Sequence, residues 1–217
     1  MELMPLYLSI KLATISTAVL IISTMPIAYV LARSDWKGKM FVESLLSLPL
    51  VLPPTMFGFF LLYILSPISY IGKMWGNAFG SPLLFSFTGI VLGSVIYSVP
   101  FAIQPMKSVF AKLDKRLYES ASILGLSPIA VFFRVAIPNS VSGIMASAIL
   151  VFLHSIGAFG VILMIGGSIP NETRVVSVAI FEAVLSMDYE KAWMLSAMLL
   201  PISYVFLLVV NKLMKEK

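Results

Sequence analysis

The sequence predicts an all-α protein that crosses a membrane about five times. Two observations carry this reading. Of the 217 residues, 59% are hydrophobic and only 12% are charged, about half the roughly 25% of charged residues in soluble globular domains. The charges also gather in short clusters, so the uncharged runs between them exceed the roughly 18 residues that suffice for a transmembrane helix.

In chain order, the expected spans are residues 6–32, 44–71, 82–106, 136–165 and 192–212, within one membrane domain covering 1–217. The first run is too long for the apolar core of a signal peptide, and its basic cluster Arg33, Lys37, Lys39 follows it rather than preceding it. It therefore reads as a retained span. The second span carries Pro49, Pro53 and Pro54, and the third carries Pro100 and Pro105. A single proline is compatible with an ordinary kink, whereas three so close together predict a real break. In a membrane such breaks are tolerated where they pack against protein or line a water-filled path.

The fourth uncharged run, 135–171, is longer than a span needs, and its second half holds Gly157, Gly160, Gly166, Gly167 and Pro170. It is expected to enter as a helix and to leave as a loop, 166–191. Within that loop residues 173–187 have helical spacing of apolar residues but carry two charges, which suggests an interfacial or re-entrant helix.

Orientation follows from the distribution of Lys and Arg. If loop 33–43 faces the cytoplasm, so do loop 107–135 and the C-terminal tail. Together these hold Arg33, Lys37, Lys39, Lys107, Lys112, Lys115, Arg116, Arg134, Lys212, Lys215 and Lys217. The other side holds Lys73, Arg174 and Lys191 in its loops, with Lys11 near the start of the first span. The N-terminus is expected outside and the C-terminus inside. The net charge of +5 then reflects loop lysines and arginines rather than nucleic-acid binding.

With no cysteine and one histidine, thiolate chemistry and a cysteine nucleophile are excluded, and no metal site is expected. An intramembrane enzyme would need a nucleophile with a base, or paired acids at depth, and the expected spans hold no Asp or Glu. A stand-alone secondary transporter would need a proton or sodium relay, and none is visible. The candidate pathway residues are Pro53, Pro54, Thr55, Ser147, His154, Ser155 and Gly157. Ionisable groups at membrane depth mark function by default, but the favoured reading of His154 is a neutral imidazole hydrogen-bonded to a neighbouring helix. The small residues also suit helix packing, as Gly143 and Ser147 do one turn apart. Asn171-Glu172-Thr173 matches a glycosylation sequon, a pattern that arises easily by chance.

Loop 107–135 is more than a polar connector. Lys112 to Tyr118 is charged, and small, apolar and kinking residues follow. This pattern predicts a short amphipathic helix, a glycine turn at Gly125, and a second helix begun at Pro128. A soluble partner could dock there. Glu119-Ser120-Ala121, three residues, Gly125, nine residues, then Val135-Ala136-Ile137-Pro138 resembles the EAA motif of ABC importer permeases: Glu-Ala-Ala, three residues, Gly, nine residues, Ile-x-Leu-Pro. The spacing fits at every step, with Ser120, Val135 and Ile137 as conservative departures.

Pro49-Leu-Val-Leu-Pro-Pro54, Arg134, His154-Ser-Ile-Gly-Ala-Phe-Gly160 and Ile169-Pro-Asn-Glu-Thr-Arg174 are similar to the molybdate permeases, and more distantly to those for tungstate and sulfate. Ala158 stands where that family commonly has a glutamate. The resemblance implies a type I ABC importer permease fold and translocation of an oxyanion, with molybdate favoured and tungstate or sulfate as alternatives. It also implies a second copy of the permease, two cytoplasmic ATPase subunits at the coupling loop, and an extracytoplasmic oxyanion-binding protein. The coupling residues would be Glu119, Ser120, Ala121, Gly125, Val135, Ile137 and Pro138. No phosphate-binding loop is present, since Gly38-Lys39 and Gly72-Lys73 are each followed by Met. ATP and Mg are therefore expected on the partner ATPase, and this chain is expected to be non-catalytic.

Overall fold

The computed structural model describes residues 3–215, and among them every regular element is helical. Four helices are long and apolar enough to cross a bilayer, and a fifth crossing results if one bent pair is counted as a span.

Helix α1 (Met4–Arg33) begins with Pro5 in its first turn and ends with Arg33 in its last. A helix tolerates proline at its start, and a basic residue at its end complements the macrodipole. At 30 residues it measures about 45 Å, enough to cross a hydrocarbon core of about 30 Å with a turn to spare at each end.

The expected span 44–71 is not one helix. Helix α2 (Lys39–Val51) and helix α3 (Pro54–Leu65) meet at an angle of 113°. Pro53 and Pro54 both lack an N–H, and a proline disfavours the helical conformation in the residue before it, so Leu52 and Pro53 are extended. Helix α2 also starts earlier than expected and so carries Glu43, a carboxylate outside the span as read from sequence. Helix α4 (Tyr70–Phe79), a short element that hydropathy does not reveal, begins where the Ser69 hydroxyl accepts from Gly72 N–H at 2.9 Å and ends at Gly80 with φ 69°.

Helix α5 (Phe87–Lys112) begins at Ser86, whose hydroxyl accepts from Gly89 N–H, and it runs through Pro100, Pro105 and Lys107. The expected boundary at 106 is thus displaced by six residues, because a lysine ends an apolar run without ending a helix. Helices α6 (Lys115–Ile123) and α7 (Pro128–Val131) follow, then a π-helical turn over Phe132–Ala136 and a 3₁₀ turn over Pro138–Ser140.

The fourth expected span, 136–165, divides into helix α8 (Val141–Gly157) and helix α9 (Gly160–Gly166), separated by Ala158 and Phe159. Helix α10 (Val176–Leu185) buries Val176, Val178, Ala179 and Ala183. It packs against α1, α8 and α11 and so belongs to the bundle rather than lying flat on its surface. Helix α11 (Tyr189–Lys215) closes the fold against α8 and α10.

The centre of the bundle is the triple packing of α1, α5 and α8. Gly143 on α8 lets Val109 of α5 approach so closely that a Cβ there would lie 2.7 Å from the valine Cβ. Small residues at helix crossings permit the same backbone approach in membrane bundles generally. The two largest apolar clusters among the described residues flank this packing. One, at the N-terminal end of α1, joins Leu8 and Leu12 to Leu61, Ile90, Val161 and Ile165. The other, toward Arg33, joins Leu20, Ala28 and Leu31 to Met106, Phe110, Ala136 and Val151.

Candidate functional site

Two sets of candidate residues were singled out, and the structure arranges them at different places. The first set surrounds Gly125. Asp114 begins α6 by accepting from Arg116 N–H at 2.9 Å. At the other end, Gly125 N–H bonds Ser122 O at 3.0 Å and Leu126 N–H bonds Ala121 O at 3.1 Å, with Gly125 at φ 69°. These paired bonds form a Schellman cap, whose left-handed position glycine occupies without the Cβ penalty. Ser127 then caps α7 by accepting from Ala130 N–H. The turn is therefore closed entirely by local hydrogen bonds and has a defined shape.

Of the Glu119-Ser120-Ala121 triplet only Ala121 is buried, facing the π-helical turn, while Glu119 and Ser120 are exposed. Ile123 and Leu124 are 85% and 77% exposed, and Ile129 and Phe133 are also exposed. Leucine and isoleucine so bare on a rigid turn form the kind of apolar patch that marks an interaction site. Val135 and Ile137 are half-buried around the fully buried Ala136, and Pro138 lies at the surface. Pro138 cannot donate a helical hydrogen bond. Before it the ladder widens to Ile137 N–H···O Phe132 at 3.0 Å, a π-type step.

Aromatic contacts tie this region to the bundle. The Arg33 guanidinium lies 3.7 Å over the Tyr118 ring. Tyr29 meets Phe110 at 5.5 Å and Phe132 at 4.9 Å between centroids. Burial pushes the Tyr118 phenol above its usual pKa, so the group under the guanidinium is neutral. Sequence reasoning missed Tyr29, Phe110, Tyr118 and Phe132 and used Arg33 only as a topology marker, since ring stacking between distant positions leaves no local pattern.

The second set divides further. Pro53, Pro54 and Thr55 are exposed at the elbow between α2 and α3. Gly160, the first residue of α9, packs onto Pro54 and Thr55: a Cβ there would lie 3.0 Å from Pro54 Cβ and 3.3 Å from Thr55 Cγ2. The two helix breaks are thus in contact. Gly58 continues the seam one turn on, where a Cβ would meet Met164 Cβ at 2.9 Å and Val161 Cα at 3.0 Å. Gly157 is exposed beside the second break. The Ala158 carbonyl, freed by that break, accepts from the Ser177 hydroxyl at 2.7 Å, and Ala158 itself is buried in the first core.

His154 and Ser155 belong to the contact between α8 and α5. His154 Nδ1 and Ser98 Oγ share a hydrogen bond at 2.9 Å, and the imidazole stacks on Phe101 at 3.9 Å. Ser155 Oγ accepts from Ser94 Oγ at 3.1 Å. Ser147 is buried and donates to Gly143 O within its own helix at 2.9 Å. In the sequon, Thr173 is fully buried and donates to Gly166 O at 2.6 Å, so its hydroxyl closes the loop after α9.

No group of three or more His, Cys, Asp or Glu that could hold a metal ion occurs among the described residues. The geometry is that of a bundle with broken spans at one end and a rigid exposed turn at the other.

Residues 24–215 match the family of binding-protein-dependent transport system inner membrane components. The chain belongs to this family. The permease is 41% identical over 200 residues to the molybdenum transport system permease protein ModB of Azotobacter vinelandii, covering 92% of this chain and 88% of the relative. It is 30% identical to ModB of Escherichia coli K12 over 82% of this chain and 77% of the relative. A sulfate transport system permease protein, CysT of Synechocystis, is 29% identical over 86% of this chain and 65% of its own length. Among solved structures, a bacterial ABC transporter that imports the acidic polysaccharide alginate superposes with a TM-score of 0.69 at 16% identity, over 97% of the permease and 77% of that chain. At that identity the likeness speaks for the fold alone. The permease is thus an ABC importer membrane subunit of the molybdate and sulfate group, a multi-pass protein of the cell membrane.

Proposed function

We propose that the chain imports molybdate as one of two permease copies, with two cytoplasmic ATPase subunits seated on the Gly125 turn and an extracytoplasmic protein delivering the anion. The observation that carries the coupling role is the turn itself. Ile123 and Leu124 are bare, their backbone is fixed by the Schellman cap, and Ala121 and the Arg33–Tyr118 contact brace the turn from behind. Such a lever suits the transmission of rigid-body rotation from a soluble partner, through the π-helical turn, into α8. The positive-inside distribution supports a cytoplasmic position for this turn, where ATP is available.

Molybdate as cargo is favoured by the 41% identity to a molybdenum permease over nearly the whole chain, against 29% to a sulfate permease. The pathway would run along the paired helix breaks, where irregular backbone is tolerated because it lines a cavity or packs on protein. The test is uptake of labelled molybdate, tungstate and sulfate by the complex reconstituted with its ATPase and binding protein. Uptake of molybdate in preference to sulfate is the expected result, and preference for sulfate would reassign the cargo.

A further inference from the structure

Where α2 faces the Arg33-proximal half of α5, the structure holds a cavity of about 410 Å³ that belongs to neither candidate set. Glu43 and Ser47, one turn apart on α2, line one wall. Gln104, Lys107 and Ser108, on one face of α5, line the other. Lys107 Nζ meets Glu43 Oε1 at 2.6 Å and Gln104 Nε2 donates to Ser47 Oγ at 3.4 Å. Among the described residues this is the one ion pair joining elements distant in sequence, since the other two link residues four and eight apart.

Both partners keep about a third of their side chains accessible, 34% for Lys107 and 29% for Glu43. An ion pair this exposed contributes little to stability, and apolar residues would join two spans at least as well. The composition of the wall suggests a different use. Leu31, Leu46, Pro100 and Ile103 supply an apolar part of the lining, and beside them stand a lysine, an amide and two hydroxyls, each able to donate to an oxyanion. Their single acidic neighbour is already the lysine's partner.

We infer that Lys107, with Gln104, Ser47 and Ser108, forms an exit-side subsite for a tetrahedral oxyanion, and that Glu43 is its built-in competitor. The inference rests on the proposed cargo and orientation, which place this cavity at the cytoplasmic end of the spans. A dianion arriving from the pathway displaces the singly charged carboxylate from Lys107, and re-pairing of Glu43 with Lys107 expels the anion. The site thus binds without trapping.

The experiment measures equilibrium binding of labelled molybdate to the complete permease–ATPase complex without nucleotide, in nanodiscs of neutral lipid, together with uptake in proteoliposomes. Glu43→Gln leaves Lys107 without its competitor and is expected to tighten binding on the order of tenfold, as removal of one partly screened opposing charge should, while slowing uptake. Lys107→Gln is expected to abolish binding, and Lys107→Arg to retain it. Ser108→Ala, at an exposed position outside the ion pair, is expected to weaken binding severalfold with assembly unchanged.

If the pair is only a latch between α2 and α5, Glu43→Gln and Lys107→Gln will shift binding in the same direction and Ser108→Ala will do nothing; either result overturns the assignment. If nanodiscs containing phosphatidylglycerol block molybdate binding, the site takes lipid phosphate and the transport role falls. Wild-type uptake of molybdate with no change in any variant overturns this inference alone. A wild-type complex that takes up none of molybdate, tungstate and sulfate overturns the proposed cargo and this subsite with it.

Discussion

The guanidinium of Arg33, the last residue of α1, stacks 3.7 Å over the ring of Tyr118 on α6. This contact joins the first span to the exposed turn across 85 positions of sequence, and it gives the turn a rigid base. A cation over an aromatic face contributes about 0.5–2 kcal/mol, depending on desolvation. Tyr118→Ala is therefore expected to leave the bundle folded while lowering the ratio of anion uptake to ATP hydrolysis in the reconstituted complex. Tyr118→Phe keeps the ring face and should keep that ratio. Equal loss in both variants would show that the hydroxyl, not the ring, matters.

Gly125 stands at φ 69° with open space around its Cβ position. Substitution there meets backbone strain but no steric wall. Gly125→Asn should be nearly silent, whereas Gly125→Val should distort the turn at a cost of about 1–2 kcal/mol. Gly125→Asp adds a charge to the docking turn and is expected to abolish anion-stimulated ATP hydrolysis without affecting membrane insertion. Stimulation as strong as wild type would remove the turn from the coupling route.

The seam between α3 and α9 makes a contrasting prediction. Gly58→Leu forces a side chain against Met164 and Val161, where a Cβ alone already lies at 2.9 Å and 3.0 Å. Overpacking of this kind costs about 1–3 kcal/mol and should lower the melting temperature of the detergent-solubilised protein. Gly157→Ala, with nothing within 4 Å of its Cβ position, should change stability by about 0.5 kcal/mol or less, in the range of ordinary surface substitutions.

Topology is open to a direct measurement because the chain has no cysteine. A membrane-impermeant maleimide applied to intact cells should label Lys73→Cys on α4 and spare Ser120→Cys on α6, both at exposed positions. The opposite pattern would invert the proposed orientation.

Several features were legible because their causes are local. Pro53 and Pro54 break the second span through missing N–H groups and a restricted preceding residue. Gly125 ends α6 through its freedom at positive φ. Pro128 begins α7 for the reason proline begins helices generally. Other features were not legible. Helix α4 depends on the Ser69 cap rather than on hydropathy. The expected edge at 106 failed because a charged residue such as Lys107 ends an apolar run without ending a helix, and α5 continues to Lys112. His154, ambiguous as a letter in an apolar run, is settled in place by Ser98 and Phe101.

The sequence by itself therefore determined that this protein lives in lipid, that its spans are helical, where the second is broken, and that a glycine-capped turn ends α6. Each of these depends on the solvent preference of a segment or the backbone freedom of one residue. Only the tertiary structure decided that Pro54 and Thr55 at the break in the second span rest on Gly160, that Arg33 covers Tyr118, and that Glu43 faces Lys107. Those pairs lie tens of positions apart in the chain, and helix packing sets which faces meet. Small residues such as Gly58, Gly143 and Gly160 let the backbones approach, and no local pattern records which partner will arrive.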